Sequence, residues 1–212
     1  MEVDWSVEIG CAEIGGSAPV IDTGWPGWID LAGDAEQMNS RINSLSEVRS
    51  FPPLGIALRK VLRECANFRS TKCDFWTDDL APEVADSEAI CPEGGNCQRL
   101  AVCYIDLLPQ NIAAWTQLAA AEAWARASVS VLRAEHCPHG RVEIVVREAF
   151  STSGFGFGLS LYIYGCGPTE TQARTALEHA LCLAVGHICA TPSPQRKTES
   201  ALQWQQESRT GE

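Results

Sequence analysis

Residues 154–167, GFGFGLSLYIYGCG, place three glycines at alternate positions, then an apolar run, then two glycines around a cysteine. A loop that cradles phosphate needs a strand before it and a helix after it, so that backbone amides and a helix N-terminus converge on the anion. Here the glycines lead into LSLYIYG, which reads as a strand, and no Gly-Lys-Ser/Thr follows. The stretch therefore reads as the second arm of a hairpin, with Gly154, Gly156 and Gly158 at its turn and edge. Gly165-Cys166-Gly167-Pro168 is a tight strand-to-helix turn, and Pro168 with Thr169 opens a helix to Ala190. A helix N-terminus could acidify Cys166; a buried turn cysteine is the plainer reading.

Working outward, RVEIVVREAF (141–150) alternates as the first arm of that hairpin. EVDWSVEIGCAEI (2–14) alternates in the same way and reads as a half-buried strand. The turn at Trp25-Pro26-Gly27 is flanked by tryptophans that would clamp onto the core. LGIALRKVLREC (54–65) carries a helical apolar stripe. Residues 111–135 contain neither proline nor glycine and are rich in alanine, which predicts the longest helix of the chain, its inner face Leu118, Ala121, Ala125, Val129 and Leu132. QRLAVCYIDLLP ends at Pro109 as a short strand or helix. Strands and helices mixed in this order predict an α+β fold, an antiparallel sheet with helices packed mainly on one face. Residues 1–190 would form a single domain, and 191–212 a flexible tail without periodicity.

The 212 residues carry a net charge of −11, which argues against nucleic acid as a partner. The bases Arg59, Lys60, Arg63, Arg69 and Lys72 are followed by a run with seven acids and no base between Cys73 and Gln98. The plain reading of that run is a solvated loop beside a basic helix. The longest apolar segment, ALCLAVGHICA at 180–190, is too short for a membrane span. The acidic start lacks the composition of a secretory signal, so a cytoplasmic, reducing setting is expected, with the ten cysteines mostly buried thiols. No cysteine pair forms C-x-x-C.

Two functional readings follow. The first is a non-catalytic acidic protein that binds a basic protein partner, as small inhibitor or immunity proteins do, through Asp74, Trp76, Asp78, Asp79 and Asp86, with no cofactor. The alternative is a thiol-dependent enzyme or a zinc protein. Its soft ligands would come from Cys91, Cys97, Cys103, His136, Cys137 and His139, although C-x5-C-x5-C matches no compact zinc knuckle. None of the four histidines sits in a hydrolase or metalloprotease motif. Asp106, an acid among apolar neighbours in YIDLL, is either a cap or a site residue.

The combination KCDFW (72–76), CYIDLL (103–108), EAWAR (122–126) and GFGLSLYIYGCG (156–167) resembles a family of bacterial proteins without an assigned activity. The resemblance covers most of residues 1–190. It implies a single domain and a bacterial origin, and it brings no catalytic residue.

Overall fold

The computed structural model describes residues 1–9, 20–21, 31, 34–79 and 96–194. The chain begins with strand β1 (Glu2–Glu8) and a short β2 (Val20–Ile21), followed by helices α1 (Ala35–Ser44), α2 (Ser46–Ser50) and α3 (Pro52–Glu64). Strands β3 (Phe68–Asp79) and β4 (Arg99–Pro109) come next, then a 3-10 turn (Ile112–Trp115) and helix α4 (Leu118–Leu132). The hairpin β5 (Gly140–Ser151) and β6 (Gly154–Gly167) leads to α5 (Glu170–Ala190).

The fold is α+β. Its sheet runs β1-β5-β6-β4-β3, with β2 beside β5 in line with β1. Every pairing along β5-β6-β4-β3 is antiparallel, whereas β1 and β2 lie parallel to β5. More than 130 residues separate β1 from β5, so no tight turn dictates the direction of β1. Alternation puts Ala101, Cys103, Ile105 and Leu107 of β4 with Leu159, Leu161 and Ile163 of β6 on one face, in a core shared with α3, α4 and α5. Phe68, Trp115 and Trp124 stack edge to face within that core, ring centroids 4.9–5.5 Å apart.

The glycine stretch is a hairpin arm. Gly154 adopts a φ of 137°, a conformation that side-chained residues rarely take. Gly165 passes directly beneath α5: a Cβ there would lie 2.1 Å from the Leu177 nitrogen and 2.3 Å from the Ala173 carbonyl oxygen. Thr169 then caps α5, its hydroxyl accepting from the Gln172 N–H at 3.3 Å.

Three expectations change. The long helix expected over 111–135 starts only at Leu118, because Trp115 is drawn into the core by the preceding 3-10 turn; α5, at 21 residues, is longer. The acidic loop expected from residue 73 is strand through Asp79, at the edge of the sheet: Cys73, Phe75 and Thr77 alternate with exposed Asp74, Trp76 and Asp78, a period of two that marks a strand with one face in solvent. The tail expected from 191 is held at its root, where Trp124 Nε1 donates to the Pro192 carbonyl at 2.9 Å and Ser193 Oγ to Asn67 Oδ1 at 2.8 Å. Residues 195–212 and the Trp25-Pro26-Gly27 turn lie outside the described residues.

Candidate metal centre at three strand ends

β5 begins, β6 ends and β4 begins at one end of the sheet, and each carries a metal-ligating side chain there. In CPHG (137–140), Pro138 and Gly140 stand where a β-turn favours them, and the turn closes with Gly140 N–H on the Cys137 carbonyl at 3.1 Å. A Cβ on Gly140 would sit 2.5 Å from Cys137 Sγ, so the tight turn requires glycine. His139 thus enters β5, and its carbonyl accepts the Cys166 N–H at 2.9 Å. On the far side of β6, Gln98 N–H donates to the Gly167 carbonyl at 3.0 Å and brings Cys97 alongside.

These backbone bonds gather Cys97 Sγ, His139 Nδ1 and Cys166 Sγ within 4.8 Å of one another. His139 Nδ1 lies 3.9 Å from Cys97 Sγ and 4.0 Å from Cys166 Sγ. Tetrahedral zinc with ordinary bond lengths sets S···N at about 3.5 Å and S···S at about 3.8 Å, so the S···N pairs would contract by about half an ångström and the two sulfurs by up to about 1 Å to seat the ion. Two thiols and one imidazole form a donor set suited to zinc rather than to magnesium or calcium. Cys166 is 1% exposed, which shields one side of the cluster. On the other side His139 and Cys166 line a cavity of about 310 Å³ that extends past Pro138 of the turn and past Gln172, Thr175 and His179 of α5.

Of the ligand set expected from sequence, the fold brings Cys97 and His139 together and adds Cys166. Cys103 lies on β4, six residues after Cys97, fully buried on the helix-facing side. His136 is exposed before the turn. Cys137 lines the same cavity, but its thiol points to the Ala176 carbonyl at 3.9 Å and burial raises its pKa, so it keeps its proton. Cys91 lies outside the described residues. Cys73 is pushed up to about 12, chiefly by burial and then by Glu47, Asp74 and Asp106, which leaves it a thiol at neutral pH.

The acidic set is placed in part. Asp74, Trp76 and Asp78 form an exposed row on β3, Trp76 being 40% exposed. Asp79 pairs with Arg99, which also lies 3.6 Å from Glu170. Asp86 falls outside the described residues.

Asp106 is no cap. It sits mid-strand opposite Ser160 and is 4% exposed, and the Ser160 hydroxyl donates to it at 2.5 Å. Burial raises its pKa above the usual carboxylate value, against the opposing effects of Ser160, Tyr104, Lys72 and Arg147. Beside it Arg147, 2% exposed, reaches Glu8 at 2.8 Å and the Tyr162 hydroxyl at 3.3 Å.

The class defined here is an α+β fold whose strand ends bring two cysteine sulfurs and an imidazole together. No family model, curated protein or solved structure matches the chain.

Proposed function

We propose that the protein binds a zinc ion through Cys97, His139 and Cys166. The convergence of three soft ligand atoms within 4.8 Å, from positions 42 and 27 residues apart, carries this reading. Random burial of cysteines scatters them through a core; here the ligands stand at a sheet end beside a cavity. Binding requires both thiols to lose protons and the imidazole to be neutral, so the ion links three strands as it displaces those protons. Cobalt(II) in place of zinc tests it: titration into the reduced chain should give thiolate-to-cobalt charge transfer and the intense visible bands of a tetrahedral ion. Those bands should disappear in His139→Ala and Cys166→Ser. A spectrum like that of hydrated cobalt would refute the proposal.

A second reading keeps the acidic row of β3 as a contact for a basic protein. Its support is the alternation that exposes Asp74, Trp76 and Asp78 on one edge strand. Complementary charge there would act mainly on association rate and choice of partner. Reversal of Asp74 and Asp78 to lysine should abolish salt-sensitive capture of a basic partner; unchanged capture would reject this reading.

A further inference from the structure

The cavity beside the cysteine–histidine cluster has walls from the CPHG turn and from one face of α5, where Gln172, Thr175, Ala176 and His179 recur at helical spacing. Two of the three ligands, His139 and Cys166, open onto it. Among the described residues, no fourth cysteine, histidine, aspartate or glutamate atom joins the three within 4.8 Å. A zinc ion held by three protein ligands keeps its fourth tetrahedral position for water or an incoming molecule. At about 310 Å³ the adjoining space stands at the lower end of the range of small-molecule pockets.

Hydrogen bonds in the wall narrow the chemistry of that molecule. Thr175 gives its hydroxyl proton to the Thr171 carbonyl at 3.0 Å, and the Cys137 thiol turns to the Ala176 carbonyl at 3.9 Å, so neither has a proton to offer. Gln172 is oriented by the Thr169 hydroxyl, which donates to its Oε1 at 2.9 Å and leaves Nε2 as the end that can donate. A Lewis-acidic ion and an amide donor on one cavity suit a molecule that presents two acceptor oxygens, one to each. Two thiolates already cancel the charge of the ion, and the chain carries a net charge of −11, so a dianion such as phosphate is disfavoured against a monoanion. We propose that this cavity binds a small monocarboxylate, one oxygen on the zinc at its fourth position and the other accepting from Gln172, an assignment that rests on the zinc site proposed above.

The test uses the full reduced chain loaded with cobalt(II), to which sodium acetate is added at constant ionic strength. Acetate should shift the visible bands of the tetrahedral ion saturably, and acetamide should not. Gln172→Ala, at an exposed position, should keep the acetate-free bands of wild type and weaken acetate binding by about tenfold or more, the effect of losing a hydrogen bond to a charged group. Tetrahedral bands that acetate leaves in place, or acetate bound equally well by Gln172→Ala, would overturn the monocarboxylate site while the zinc site stands. So would a thiolate-to-cobalt intensity that falls by a third in Cys91→Ser, because the chain itself would then fill the fourth position. Wild-type protein without tetrahedral bands would refute the zinc site and the carboxylate site together, so the two failures are told apart.

Discussion

Gly165→Ala should be among the most damaging single-methyl additions in the chain, and Gly186→Ala should be harmless or favourable. A Cβ at 165 would stand 2.1 Å from the Leu177 nitrogen, 2.3 Å from the Ala173 carbonyl oxygen and 2.7 Å from the Leu177 Cα, all backbone atoms that no rotamer change can move. Ordinary carbon–nitrogen contact is about 3.5 Å, so strand and helix must part by more than about 1 Å, in a core packed as densely as a crystal. Overpacking of this kind costs about 1–3 kcal/mol and more where backbone must shift, and a value of about 3 kcal/mol or above is expected. Position 186, by contrast, faces no backbone and meets only Lys60 Nζ at 3.7 Å, so alanine should gain about 0.5–1 kcal/mol from helix preference. Urea unfolding of both variants, reduced and metal-free, measures the pair. A Gly165→Ala midpoint within error of wild type would refute the close approach of β6 to α5, and with it the placement of Cys166 beside α5.

Further outcomes follow from the same packing. Trp115→Ala, which empties a fully buried site between Phe68 and Trp124, should cost about 3–5 kcal/mol in the same unfolding assay; a loss below about 1 kcal/mol would contradict the aromatic cluster. Because burial raises the Asp106 pKa in the folded chain, its contribution to stability is full below about 4, the unfolded value, and is lost as pH rises through the folded value. Asp106→Asn should flatten that decline; a pH–stability curve parallel to wild type would reject a raised Asp106 pKa. Zinc affinity should weaken as pH falls, since protons compete for both thiolates and the imidazole, and a pH-independent affinity in competition with a chelator would be inconsistent with those ligands.

The hairpin and α5 were legible because local chemistry wrote them: alternating glycines, an alternating apolar strand, then proline and a threonine cap three residues after Cys166. β3 was not, because its outward positions are charged and its inward ones, Cys73, Phe75 and Thr77, give a weak apolar signal that only pairing with β4 completes. The start of α4 was misread since nothing in IAAWTQ forbids helix; it is the burial of Trp115 that turns the chain. The metal ligands were half legible. Cys97 and His139 stood out as soft ligands in loops, but proximity in sequence then enlisted Cys103, which the run of β4 carries away from Cys97 along the sheet. Cys166 joins them only through the register of β5, β6 and β4, which no local pattern encodes.

The measurement that bears most directly on the central claim is native mass spectrometry of the reduced chain after equilibration with zinc and removal of excess ion, beside Cys97→Ser, His139→Ala and Cys166→Ser. One zinc per wild-type chain, lost or sharply reduced in each variant, is the predicted result. A metal-free wild type, or zinc retained in all three variants, would contradict it.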